Sequence, residues 1–171
     1  MEVTKRITGS AFSSLLNRVE PGYQAEISNP QGSFVFTPSL RKVGLLSGGI
    51  GITPLRSICK YIADSGLDTS VCVLYANRDA DEIAFRADFA AMQAACPSIK
   101  IVHTLSRAGG EWPGRRGRID RAMICEVMPD YLERVFFICG PPAMVGALST
   151  VLRDELHLPE QQVMIENFSG Y

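Results

Sequence analysis

The pattern of hydrophobic and polar positions changes near residue 38 of this 171-residue chain. Before that point short segments alternate. Glu2 to Ile7 reads as a strand, Ser13 to Arg18 as a short helix, and Tyr23 to Ser28 and Ser33 to Thr37 as two further strands. Pro21-Gly22 and Asn29-Pro30-Gln31-Gly32 supply the turns. This predicts a piece of an antiparallel barrel or sheet, too small to enclose a core of its own. Beyond residue 38, apolar runs alternate with helical stripes. Val43 to Leu46, Val71 to Tyr75, Ile99 to Thr104, Val135 to Ile138 and Val163 to Ile165 read as strands. Helices are expected over Pro54 to Ser65, around the stripe Phe85, Phe89 and Met92, over Asp120 to Met128, and along the face Val145, Leu148, Leu152 and Leu156. Repeated β-α units predict an α/β fold, a parallel sheet with helices on both faces. Ligands in such sheets bind beyond the carboxyl ends of the strands, where the strand order reverses.

The segment Val43 to Pro54 carries the clearest candidate chemistry. An apolar run ends in Ser47-Gly48-Gly49-Ile50-Gly51-Ile52-Thr53-Pro54. Glycines here permit backbone angles and close approaches that a Cβ would forbid. Thr53 is expected as the N-cap of the following helix and Pro54 as its first residue. A helix start behind a glycine turn presents free N–H groups and a positive dipole end, suited to a phosphate; an ordinary strand-to-helix turn is the alternative. The loop is not a P-loop, because no Lys-Ser/Thr pair follows the glycines. Ser47 lacks the G-x-S-x-G spacing of a hydrolase nucleophile.

Composition narrows the classes. With 46% hydrophobic and 20% charged residues and a formal net charge of -1, the chain reads as globular and argues against nucleic-acid binding through phosphate neutralisation. No apolar run approaches the roughly 18 residues of a membrane span. Five cysteines without a Cys-x-x-Cys pair, and two distant histidines, suggest neither a disulfide framework nor a metal site. A reducing cytoplasm is the expected compartment.

Six collinear segments resemble the ferredoxin–NADP reductase-like family of flavin-dependent pyridine-nucleotide oxidoreductases. They are Ser10-Ala11-Phe12-Ser13 with Leu16, Pro21-Gly22, Asn29 to Phe34, Gly48 to Pro54, Cys139-Gly140-Pro141-Pro142-Ala143-Met144, and Glu166-Asn167-Phe168. The resemblance implies a remnant of an FAD-binding barrel over residues 1–38 and an NAD(P)-binding domain over 39–171. It implies that Ser10, Phe12 and Ser13 belong to the stretch holding the FAD pyrophosphate, although Ser10 or Ser13 would serve equally well as a helix N-cap. Gly48, Gly49, Gly51, Thr53 and Pro54 then form the pyridine-nucleotide pyrophosphate turn. Cys139 would lie near the nicotinamide ring, with Gly140, Pro141 and Met144 shaping that wall; a buried free cysteine ending a strand is the alternative. Glu166 resembles the carboxylate near the flavin–nicotinamide contact, and Phe168 or Tyr171 could pack on the flavin.

The end of the second strand, Tyr75-Ala76-Asn77-Arg78, carries a base where an NAD-preferring Rossmann site carries an acid. Ser106-Arg107 resembles the pair that family members use on a 2′-phosphate. Arg115, Arg116 and Arg118 follow, and guanidinium groups suit phosphate; a solvated rim is the alternative. NADP is therefore favoured slightly over NAD. No Arg-x-Tyr flavin motif occurs in the sequence, and about 70 to 100 residues of barrel are missing by ordinary domain sizes. Three explanations are open: a longer reductase, completion by another chain or a twin in a homodimer, or a relative that keeps nucleotide binding alone. The intact activity implied is hydride transfer from NAD(P)H to FAD, then electrons to an iron–sulfur or haem partner or domain.

Overall fold

Runs of Val, Leu, Ile and Phe that can be buried on both faces make the centre of this molecule a parallel sheet. The computed structural model describes residues 4–5, 7–26, 29 and 31–167. In chain order its elements are α1 (Ala11–Leu16), β1 (Lys42–Gly48), α2 (Ile52–Asp64), β2 (Ser70–Asn77), α3 (Arg86–Ala95), β3 (Ile99–Leu105), β4 (Arg115–Arg116), α4 (Arg121–Val127), β5 (Val135–Gly140), α5 (Pro142–Thr150) and β6 (Val163–Asn167). The strands form one sheet in the order β4-β3-β2-β1-β5-β6, every pair parallel. Chain direction across the sheet therefore reverses between β1 and β5.

Alternate residues of each central strand enter two separate cores. Val43, Leu45, Val71, Val73, Tyr75, Phe137 and Cys139 pack with Leu55, Cys59 and Ile62 of α2 and Phe89 of α3. Leu46, Cys72, Leu74, Phe136 and Ile138 face the other way, onto Met123 and Ile124 of α4 and Val145 and Leu148 of α5. Helix α2 ends in a Schellman turn. Gly66 adopts φ +59°, its N–H bonds the Ala63 carbonyl at 3.2 Å, and the Leu67 N–H bonds that of Ile62 at 3.1 Å. The stripe that predicts one long last helix runs α5 into a π-helical turn, Val151–Glu155, so Leu152 and Leu156 stay in the core.

Two expectations are corrected. Among the described residues before β1, Ala11–Leu16 is the one regular element, so the strand read at Ser33 to Thr37 does not form. Instead Phe34 sets its ring edge-on to Phe137, 5.3 Å between centroids, and Phe36 meets Tyr61 at 6.2 Å. The strands read at Glu2 to Ile7 and Tyr23 to Ser28 include Glu2, Val3, Arg6, Ile27 and Ser28, which lie outside the described residues, as does Pro30 of the second turn. Second, Thr53 does not cap α2. A 3₁₀ turn, Gly49–Gly51, starts the coil earlier, Gly51 stands at the cap position, and Thr53 and Pro54 fall inside the first helical turn. Pro54 loses nothing there, since the first N–H groups of a helix have no partner within it.

Candidate nucleotide-binding cleft

A cleft of about 540 Å³ opens at the carboxyl ends of β1, β2 and β5, where the strand order reverses. Its volume suits a small organic ligand. The floor is the glycine turn. Gly49 adopts φ +55°, a left-handed angle that folds the chain from β1 straight into the 3₁₀ turn. Gly51 is pressed against β5: a Cβ there would lie 2.5 Å from the Gly140 Cα and 2.6 Å from the Cys139 carbonyl oxygen. Nothing but hydrogen fits. This contact brings the start of α2 to the end of β5, and it explains why glycine is needed at Gly51 rather than merely tolerated.

One wall comes from α5. Pro141, Ala143, Met144, Ala147 and Leu148 line it, and the Met144 sulfur sits over Gly48, 2.5 Å from where a Cβ would stand. The opposite wall follows β2 and β3 and carries Asn77, Arg78, Glu82, Ser106 and Arg118. The guanidinium groups of Arg78 and Arg118 have no hydrogen-bond or ion-pair partner among the described residues. Asn77 is only 6% exposed, yet neither atom of its carboxamide has a partner among them. Such a buried, unpaired amide costs about 1–3 kcal/mol, and an occupant able to donate and accept would relieve it. A bed of glycine backbone, an open helix start, two free guanidinium groups and an unpaired amide fit an elongated anionic nucleotide.

Of the residues singled out by sequence, the structure assembles Gly48, Gly49, Gly51, Arg78, Ser106, Pro141 and Met144 around this cleft. Others stand elsewhere. Arg116 donates to the Ala108 and Gly110 carbonyls at 2.8 and 2.9 Å and so holds its own loop. Arg115 is paired with Glu126 at 2.6 Å. Arg107 is exposed beside Ser106 but does not line the cleft. Gly140 stands behind Gly51 and Met144 rather than at the surface. Ser10 caps α1 by accepting from the Ser13 N–H at 3.2 Å, and the buried Ser13 hydroxyl is 3.0 Å from that of Thr8. Phe12 is 58% exposed. Phe168 and Tyr171 lie outside the described residues.

Cys139 is fully buried in the core on the α2 side, with Glu166 its register partner on β6. Burial, and secondarily the Glu166 charge, pushes its thiol up to about 12, so the sulfur is neutral at ordinary pH. The Ser47 hydroxyl donates to the Cys139 carbonyl at 3.2 Å, tying β1 to β5 at the cleft floor.

Asn77, Glu82, Gly117 and Ile119 escaped sequence reasoning because no periodicity or motif marks them. Ala147 and Leu148 were missed as cleft residues too, although their i+3 and i+4 spacing from Met144 on one helical face was a signal that could have found them.

The oxidoreductase NAD-binding domain family matches residues 45–150. The chain is 31% identical over 170 residues to ferredoxin–NADP reductase B of Sorangium cellulosum (strain So ce56), covering 95% of this chain and 69% of that protein. It is 30% identical over 146 residues to NADH-cytochrome b5 reductase 1 of Mortierella alpina, covering 84% of this chain and 49% of the relative. The chain thus spans between about half and about two thirds of these relatives. Among solved structures, the cytochrome b5 reductase domain of Ulva prolifera nitrate reductase superposes with a TM-score of 0.81 at 24% identity, over 92% of this chain and 66% of that one. A ferredoxin NADP+ reductase from Neisseria gonorrhoeae gives 0.69 at 23%, over 94% and 71%. With its parallel sheet, its glycine turn at the point of reversal and a family match over most of its length, the chain belongs to the oxidoreductase NAD-binding domain family of ferredoxin–NADP reductase type.

Proposed function

We propose that this chain is the pyridine-nucleotide-binding part of an NAD(P)H-dependent flavin oxidoreductase, and that the β1–β5 cleft holds the dinucleotide. The observation that carries this is the Gly49–Gly51 turn, closed onto Gly140 and open toward the cleft at the strand-order reversal. Gly49 and Gly51 bed the pyrophosphate against the start of α2, whose dipole favours an anion. Pro141 and Met144 pack the apolar side. Cys139 and Glu166 are neighbours across β5 and β6, but the Cys139 side chain is fully buried and neither residue lines the cleft, so contact with the nicotinamide is assigned to neither. A nicotinamide held in the cleft would supply a hydride for a flavin, and the flavin would supply single electrons to an iron–sulfur or haem partner. The residues of this chain contribute orientation and electrostatics. No described helix is long and apolar enough to cross a membrane, and free thiols on all five cysteines suit the reducing cytoplasm proposed for it.

NADPH is the proposed cofactor over NADH. Arg78 and Arg118 both line the cleft together with Ser106, and Arg107 follows Ser106 in sequence. Calorimetric titration tests both levels. Arg78→Ala and Arg118→Ala should each weaken NADPH by roughly tenfold or more and NADH by less than about twofold. Equal losses for both cofactors would reject the 2′-phosphate assignment; no binding of either by the unmodified chain would reject the function.

A second reading is favoured by the absence of any antiparallel strand pair among the described residues: a nucleotide-binding module that itself is not catalytic, or a subunit whose flavin barrel comes from a partner or a second copy. The visible spectrum after adding FAD and desalting separates them. A retained band near about 450 nm, the usual flavin absorption, favours the reductase reading, and its loss the module.

A further inference from the structure

Tyr75 carries a hydroxyl on a buried ring that does not itself line the cleft. The side chain is fully buried on the α2 face of β2, between Phe89 and His103, with ring centroids 6.2 and 5.6 Å away. A phenylalanine would fill that volume as well. Its oxygen, however, reaches two backbone segments that are 35 residues apart in the chain, at Gly49 and Ala84. The hydroxyl donates to the Gly49 carbonyl at 3.0 Å, and the same oxygen accepts the Ala84 N–H at 3.2 Å. Gly49 is the left-handed residue of the cleft floor. Ala84 ends the segment after β2 that brings Arg78 and Glu82 to the opposite wall.

We propose that Tyr75 is a positioning residue that sets the glycine turn for the nucleotide and locks it to the Arg78–Ala84 wall. This rests on the cleft's being the nucleotide site. The geometry follows from the planar trans peptide: a carbonyl and the N–H of the next residue point in opposite directions, and the described chain has no cis peptide. The Gly49 carbonyl is drawn down toward the core by Tyr75 and also accepts the Ile52 N–H. The Ile50 N–H is thereby turned away from the core, and Gly49 and Ile50 both line the cleft. This peptide turns about ψ of Gly49 and φ of Ile50, and without a Cβ Gly49, at φ +55°, has a wider range of ψ open to it than other residues would. Removing the hydroxyl leaves the Ile52 N–H alone holding the Gly49 carbonyl, which loosens that rotation, and strands the Ala84 N–H without its acceptor. One oxygen thus orders both sides of the cleft before the ligand arrives, and such preorganisation raises affinity by lowering the ordering cost of binding.

Tyr75→Phe in the full chain, titrated calorimetrically with NADPH beside the unmodified protein, is the test. The expected result is a roughly tenfold rise in Kd, the scale of one lost buried hydrogen bond, at a temperature where circular dichroism shows both proteins folded. A lower melting temperature with unchanged Kd would show a packing role alone and overturn the proposal. Amide hydrogen exchange on the unmodified chain needs no variant. Exchange at Ala84 should slow on adding NADPH, because a turn held by ligand holds Tyr75; an Ala84 rate that ignores bound NADPH would also overturn it. If the unmodified chain binds no pyridine nucleotide, the functional reading fails first, and the proposal with it.

Discussion

At the scale of single residues, the cleft depends on hydrogens in place of side chains. Gly51 is the sharpest case, because a methyl group would collide with backbone atoms of Gly140 and Cys139, which cannot rotate away. Gly51→Ala is expected to cost about 1–3 kcal/mol, the usual range for overpacking, and to abolish measurable NADPH binding by prying α2 from β5. Urea unfolding and calorimetry read the two effects separately; a stable variant with normal affinity would contradict the assigned contact. Gly49 differs. Its surroundings are open and its φ of +55° carries the constraint, so alanine there meets the smaller left-handed penalty of about 1–2 kcal/mol. The glycines were legible in sequence as a turn, but which one needs space and which needs a backbone angle was not, because the obstructing atoms belong to a strand about 90 residues away. Asn77 and Tyr75 escaped for the same reason: their polar atoms acquire meaning from segments that only folding brings near.

Among the elements, the strands buried on both faces were the most legible, and they run one to three residues longer than their apolar cores suggest. Strand β4 was not. It consists of Arg115 and Arg116, pairs with Thr104 and Leu105, and is secured by Thr104 Oγ1 donating to the Gly117 carbonyl at 2.8 Å and by Trp112 Nε1 donating to that of Arg115 at 2.9 Å. Two arginines carry no strand pattern; the neighbouring strand imposes one. The opposite edge of the elements, away from the cleft, is held by Arg134. It is 7% exposed, donates to the Val43 carbonyl at 2.9 Å and to both the carbonyl and the hydroxyl of Ser70 at 3.3 Å, and forks onto Asp130 at 2.7 and 3.0 Å. This joins the starts of β1, β2 and β5. Burial raises the Asp130 carboxyl, but the bonds from Arg134 and Lys42 outweigh it and hold the group below its ordinary value. Arg134→Met should destabilise the chain by about 3 kcal/mol, as expected when one member of a buried pair is removed, with little change in NADPH affinity. A chemical denaturation midpoint that does not move would refute the structural role.

For the whole molecule, two buried thiols make stability depend on alkaline pH. Burial pushes Cys59 and Cys139 up to about 12 from an ordinary value of 9.0. The unfolded chain therefore loses these protons first as pH rises. Their contribution is fully present below pH 9.0, declines as pH climbs, and is gone above about 12. Melting temperature should fall from pH 9 toward 11, and Cys59→Ala should flatten that slope whatever it does to the level at neutral pH. An unaltered slope would mean that Cys59 titrates alike in both states. The same burial predicts that iodoacetamide at pH 8 spares Cys59 and Cys139 in the folded chain while reaching the half-buried Cys96 and Cys125. Cys139 thus enters any chemistry as a neutral thiol.

The sequence by itself determined the α/β class, the parallel strands, the glycine turn and the family resemblance, because each is written in local spacing: period, apolar run length and motif order. It misread Ser33 to Thr37 as a strand, where alternation alone cannot say whether a partner strand exists to pair with. It could not say which arginines stay free, since Arg115 and Arg116 find a carboxylate and loop carbonyls while Arg78 and Arg118 remain unpaired on the cleft wall. Only the tertiary structure decided that, by setting β2, β3 and α5 around the junction of β1 and β5. A cleft is a property of distances between segments, and local pattern carries none of them.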